Sequence, residues 1–225
     1  MKLYIANKNY SSWSLRPWVL MREKGIQFEE IIHSFSATDN FEKFRSFSPT
    51  GKVPCLEHDG HVVWDSLAIC EYLAEQYSGL WPENSAARAW ARSASAEMHS
   101  GFNHLRNQCS MNCGLRVALN AIDDGLRTEL ERLNELWSEG LSRFGGPYLA
   151  GHEFGIVDAF YAPVVFRMQT FSLKLGDQAQ RYADRMLGLP AMQQWYADAL
   201  QETTRELNHD NDSVAYGKLI ADLRA

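Results

Sequence analysis

The chain of 225 residues is poor in the features that mark several large classes of protein. It has no excess of basic charge: 22 Lys and Arg stand against 28 Asp and Glu, for a net charge of −6. Proteins that bind nucleic acid carry a basic face, so that partner class is not expected. It has no apolar run long enough to span a bilayer, and the opening Met-Lys-Leu-Tyr-Ile-Ala turns polar before a secretory core could form. No membrane partner is expected, and the expected location is cytoplasmic. Cysteine is scarce, and Cys55, Cys70, Cys109 and Cys113 all lie in apolar or helical contexts. They read as reduced, buried thiols. Cys109 and Cys113 are one helical turn apart, with His99 and His104 nearby, but the spacing matches no zinc pattern, so no metal is expected. Internal repeats and low-complexity tracts are absent too.

The pattern that is present changes character once. Lys2 to Ala6 alternates as a half-buried strand, Asn7 to Tyr10 is a polar loop, and Ser11 to Lys24 reads as a helix closed by Gly25. Pro17 falls near the start of that helix, where a missing N–H costs little. Phe28 to His33 is a second strand, and strand-helix-strand predicts a parallel pair. Ser36 to Ser48 is polar and weakly helical. After Gly79-Leu80-Trp81-Pro82-Glu83-Asn84 the periods are nearly all helical: Ser85 to about Gln108, Leu119 to Arg143, Phe154 to about Leu173, then Leu189 to Leu207 and a tail.

Residues 49 to 73 are the densest stretch. Val53 to Glu57 reads as a short strand broken by Pro54, Asp59-Gly60 is a two-residue hairpin turn, and His61 to Trp64 returns. Asp65-Ser66 then opens a helix with an apolar face at Leu67, Ile69, Cys70, Tyr72 and Leu73. Pro54 cannot donate to a ladder, so Val53 is free to offer its backbone to an extended ligand. Ser66 and the free N–H groups of its helix suit a carboxylate. A short peptide with a free carboxylate would satisfy both; ordinary caps and a hairpin are the plainer explanation of the same residues.

Gly51-Lys52-Val53-Pro54-Cys55-Leu56 followed by Asp65-Ser66-Leu67-Ala68-Ile69-Cys70-Glu71-Tyr72-Leu73 resembles the glutathione-binding half of the glutathione S-transferase family. The resemblance implies an α/β thioredoxin-like N-terminal domain at residues 1–78, a linker at 79–85 and an all-α C-terminal domain at 86–225. It also implies a cis Val53-Pro54 bond, glutathione as co-substrate held by Ser11, Lys52, Val53, Pro54, Asp65 and Ser66, and a homodimer. The apolar join with Trp81 and Trp90 adds to the last. Leu149 to Ala159 is similar to the family's structural capping motif, with Gly155 where a Ser or Thr usually stands and Asp158 still able to reach back to a free N–H.

Ser11-Ser12-Trp13-Ser14-Leu15-Arg16 is similar to the Ser-Ser-Cys-Ser-x-Arg signature of zeta-class members, which implies that Ser11 activates the thiol. A theta-type register, shifted by one, assigns that role to Ser12. Tyr10 and Tyr4 are the next candidates, with Tyr4 the better fit to packing. Helix packing is the plain reading of Phe102, His104, Asn107 and Met111, but with Trp13 they are placed to line a pocket for the electrophile. Three functions remain open: conjugation of glutathione to small hydrophobic electrophiles, isomerisation of maleylacetoacetate-like diacids, and a non-catalytic ligand-binding module.

Overall fold

The computed structural model describes residues 1–36 and 40–225. Strand β1 (Lys2–Ile5) buries Leu3 and Ile5 completely, as the two-residue period of a strand requires. Helix α1 (Ser12–Glu23) follows, covered on nearly every side. Pro17 lies in its second turn, further in than the sequence suggests, so the Trp13 carbonyl lacks its usual donor. Gly25, at φ +66, turns the chain. Strand β2 (Glu29–Ile32) runs parallel to β1, which completes the expected β-α-β unit. Helix α2 (Asn40–Arg45) occupies the middle of the weakly helical stretch. Residues 37–39 of that stretch lie outside the described residues.

Strand β3 is Cys55–His58 and strand β4 is His61–Trp64. Both pairings are antiparallel, and the sheet order is β2-β1-β3-β4. Val53 and Pro54, expected inside β3, precede it: the bond between them is cis, and proline has no N–H for the ladder. Asp59 and Gly60 have φ of +48 and +78, the two positive values a type I′ turn demands. Helix α3 (Ser66–Gln76) packs back on α1. This mixed sheet with its helices is a thioredoxin-like domain.

The remainder is helical. Helices α4 (Ser85–Ser100) and α5 (Asn103–Gln108) divide what reads as one helix, because Gly101 is extended and Phe102 takes φ +58. Strand β5 (Leu115–Leu119) takes Leu119 away from the next helix, α6 (Asp124–Phe144), whose start is fixed by Asp123 accepting from Leu126 N at 2.8 Å. Helix α7 (Ile156–Phe171) is buried along almost its whole length. Helix α8 (Asp177–Leu187) was not anticipated, and α9 (Pro190–Gln201) and α10 (Leu207–Val214) follow. Strand β6 (Gly217–Asp222) returns to pair antiparallel with β5, so the helical domain also carries a two-stranded ribbon.

Helix α1 is the seam, packing on α3 within its own domain and on α7 and α9 across the join. Lys8 is buried there, with Nζ 2.7 Å from both Glu30 Oε1 and Asp198 Oδ2 and close to the rings of Trp18 and Trp195. Asp158 caps α7 as expected: its carboxylate accepts from Gly155 N at 2.9 Å, Leu149 N at 3.0 Å and the Tyr182 hydroxyl at 3.0 Å. All four cysteines are free and buried. Among the described residues, no helix is long and apolar enough to cross a membrane.

Candidate glutathione site

A cavity of about 450 Å³ opens where three loops meet the end of the sheet. Thr50, Lys52, Val53 and Pro54 form one wall, and Trp64, Asp65 and Ser66 form the opposite one. Trp13, on the first turn of α1, closes the side toward the helical domain. A larger hollow, about 670 Å³, lies between the linker and the capping turn of α7, and none of the expected site residues lines it.

The hairpin sets the second wall. It delivers Trp64 to the corner, where Asp65 takes φ +74 and caps α3 by accepting from Leu67 N at 2.8 Å. Positive φ at a residue other than glycine is strained, and such strain gathers at ligand sites. Ser66 is the first residue of α3 and nearly covered, with its Oγ accepting from Arg16 Nη1 at 3.4 Å. The first-turn N–H groups of α3 have no partner within the helix, so this wall favours an anion.

The carboxylate of Asp65 also reaches His99 of α4, with Oδ2 3.5 Å from Nε2. Burial pushes the His99 imidazole below its ordinary pKa, while Asp65 pulls it upward. His99 in turn meets the Trp13 ring edge-on, with centroids 5.3 Å apart. Trp13 is also in contact with two cations: the guanidinium carbons of Arg16 and Arg106 lie 4.1 Å and 4.9 Å from its ring centroid. Arg106 is held by the carbonyls of Gly101 and Met98 at the end of α4.

The two candidate serines differ. The Ser11 hydroxyl donates to Ser14 Oγ at 2.7 Å. Ser14 Oγ accepts in addition from Ala6 N at 3.3 Å. The Ser12 hydroxyl, at the first position of α1, makes no hydrogen bond among the described residues. Neither serine belongs to the wall of the 450 Å³ cavity, although Ser12 directly precedes Trp13, which does. The Tyr10 hydroxyl is occupied by the C-terminal tail, within 3.1 Å of both Asp210 Oδ1 and Arg224 Nη1. The Tyr4 hydroxyl donates to Glu57 at 2.8 Å, and its ring stacks on Phe47.

Of the expected glutathione contacts, the structure brings Lys52, Val53, Pro54, Asp65 and Ser66 to one cavity. Of the expected electrophile group, Trp13 lines it, while Phe102, His104, Asn107 and Met111 do not. Phe102 and Met111 are buried, Phe102 against Tyr161, while His104 and Asn107 are exposed on α5, His104 toward Asp123. The helix break at Gly101 and Phe102 redirects α5, so a register extended from α4 does not hold beyond it. Thr50, Trp64, His99 and Arg106 also belong to this site or its rim, and nothing in their sequence context assigns them to it. Sequence reading gave no role to Arg16, although that residue closes the Ser-Ser-x-Ser-x-Arg pattern.

Profiles described as "Glutathione S-transferase, N-terminal domain" and "Glutathione S-transferase, C-terminal domain" match residues 10–76 and 88–198. A probable maleylacetoacetate isomerase of Caenorhabditis elegans is 27% identical over 201 residues, covering 84% of this chain and 89% of the relative. Glutathione S-transferase 1 of Dianthus caryophyllus is 28% identical over 173 residues, with 73% and 76% covered. Among solved structures, a maleylacetoacetate isomerase from Methylobacterium extorquens AM1 with bound malonate and glutathione superposes with a TM-score of 0.66. That similarity spans 92% of this chain and 100% of the other at 24% identity, a likeness of fold.

Proposed function

The chain belongs to the glutathione S-transferase family, and on that premise we propose that it conjugates glutathione to small hydrophobic electrophiles, with the thiol activated by a serine hydroxyl. The observation that carries the reading is the cavity between Val53 and Ser66. One wall offers the Val53 backbone, which lies outside the sheet ladder, and the other offers a helix N-terminus. A tripeptide with a free carboxylate matches both. Residues 1–78 would bind glutathione and residues 86–225 would carry the second substrate's side, joined by 79–85. The chemistry needs no metal, and we place it in the cytoplasm.

A free thiol has a pKa near ~8.5, and only the thiolate attacks. A hydroxyl at the start of α1, beside the positive end of the helix, stabilises that anion. What supports Ser12 in this role is its unengaged hydroxyl; what counts against Ser11 is its bond to Ser14.

Isomerisation of a maleylacetoacetate-like diacid is the second reading. The names of the C. elegans and M. extorquens relatives favour it, as does the Arg106 cation on Trp13. A purely ligand-binding module is the third; the shared cavity of Val53, Asp65 and Ser66 suits it as well, and the serine hydroxyl at the start of α1 weighs against it. Retention on immobilised glutathione followed by a conjugation assay tests the proposal. Retention and turnover support it; failure of both leaves the non-catalytic module.

A further inference from the structure

Arg16 is fully buried in α1, yet its charge is unanswered. Its guanidinium lies between the ring faces of Trp13 and Phe160, 4.1 Å and 4.7 Å from their centroids. Nη1 donates to Ser66 Oγ at 3.4 Å. Nε and Nη2 are buried without an acceptor among the described residues. Burial, and after it the like charges of Arg106 and Arg167, disfavours the cation, while Asp65 offsets this from a distance. Arg167 repeats the condition: it is buried, its Nε donates to Cys109 O at 2.8 Å, and its Nη1 has no acceptor among the described residues.

A buried guanidinium with neither an ion pair nor full hydrogen bonding is destabilising. The positive charge here lies directly behind the cavity wall, under the N-terminus of α3. The contact with Ser66 also fixes a direction. A hydroxyl that accepts from Arg16 keeps its own proton to donate elsewhere, and the open side of Ser66 is the cavity.

We propose that Arg16 is the positioning residue of the carboxylate subsite: it turns the Ser66 hydroxyl into a donor toward the cavity and supplies the counter-charge for the γ-glutamyl α-carboxylate of glutathione. This rests on the glutathione reading above. The ligand completes an electrostatic arrangement that the folded chain leaves open. The packing of Trp13 on Arg16 then links that subsite to the side where the second substrate enters.

The test is calorimetric titration of the full chain with two ligands, glutathione and γ-aminobutyryl-cysteinylglycine, which keeps the amine and lacks the α-carboxylate. For the unaltered protein, glutathione should bind about 10- to 100-fold more tightly than the analogue, the range of one charge-assisted hydrogen bond. Arg16→Met keeps the bulk between the two rings. It should lose most of that preference while binding the analogue as before, and Arg16→Lys should recover part of it. Ser66→Ala in the Arg16→Met background should cost less than in the unaltered protein, since the two act on one group. Equal losses for both ligands, or a preference in Arg16→Met within twofold of the unaltered protein, would overturn the proposal. If Arg16→Met does not fold, Arg16→Lys and Ser66→Ala decide by the same preference: Ser66→Ala must reduce it, and the Ser66→Ala effect must shrink in the Arg16→Lys background. An unaltered protein that binds neither ligand overturns the glutathione reading itself, and this proposal with it. One that binds both equally overturns the Arg16 proposal alone.

Discussion

Ser11 donates its hydroxyl proton to Ser14 Oγ at 2.7 Å, which ties the residue preceding α1 to the turn that follows it. Its neighbour Ser12 has no such tie. One hydrogen bond to an anion contributes about 1.5–3 kcal/mol, or roughly one to two pKa units for the thiol that receives it. Ser12→Ala should therefore raise the pKa of bound glutathione by that amount with little change in its affinity. Ser11→Ala should shift the titration less and lower thermal stability, because Ser14 loses a partner. Thiolate absorbance against pH, with glutathione bound, distinguishes them. A shift confined to Ser11→Ala assigns the role to Ser11 instead.

Asp158 carries three hydrogen bonds in a fully buried setting, and burial lifts its carboxyl from 3.8 to about 6 despite them. A folded-state pKa above the unfolded one means the folded chain holds the proton longer. The stabilisation is complete below pH ~4 and is lost as pH rises through ~6, a change of about 3 kcal/mol. Asp158→Asn cannot titrate. Its stability deficit against the unaltered protein should therefore be larger at pH 4.5 than at pH 7.5. Denaturant titrations of both proteins at the two pH values check this, and a deficit that grows with pH contradicts it.

The parts of the molecule legible in the sequence are those fixed by neighbours along the chain. Asp59-Gly60 specifies its turn by backbone conformation alone, and Pro54 excludes itself from β3 by lacking a donor. Asp158 reaches a group three residues away. What escaped depends on distant partners. Strand β6 pairs with β5 about a hundred residues earlier; Leu115, Val117 and Leu119 alternate, but Gly217–Asp222 does not, so the partner is not announced. Phe102 at φ +58 ends a helical period that the sequence continues. Arg16 looks like any helix arginine until Trp13, Phe160 and Ser66 close around it.

Trp81 and Trp90, apolar residues at the domain join, are used within the chain. Trp81 donates to Glu71 at 3.0 Å, and Trp90 packs edge-on against Phe144. The homodimer expectation therefore turns on another surface. The edge strand β4 leaves Val62 and Trp64 41% and 43% exposed, beside the cavity. Sedimentation at micromolar concentration should give twice the 25.7 kDa chain mass, and Val62→Glu should reduce it to one chain. A monomer in the unaltered protein would end the homodimer expectation.

The last prediction concerns which reaction the Trp13 side permits. Where the zeta-class signature has a thiol, this chain has an indole, and that indole is partly exposed at the cavity with cations on its ring. The ring is apolar bulk next to the place assigned to the glutathione sulfur, which favours a flat hydrophobic electrophile. Arg106 adds a positive charge that favours an acid, so the two effects compete. Its guanidinium already donates to the carbonyls of Gly101 and Met98, which limits what it offers a substrate. Conjugation of an aromatic halide should therefore exceed isomerisation of a maleyl diacid in kcat/KM. Trp13→Cys should reverse the trend by removing the ring and opening space for the diacid, lowering conjugation about tenfold or more if the lost aromatic contact is worth ~1.5 kcal/mol. Arg106→Met should lower isomerisation without affecting conjugation. Parallel kinetics of the three proteins on both substrates give the answer. Isomerisation exceeding conjugation by orders of magnitude in the unaltered chain would show that Arg106, and not the indole, governs the site.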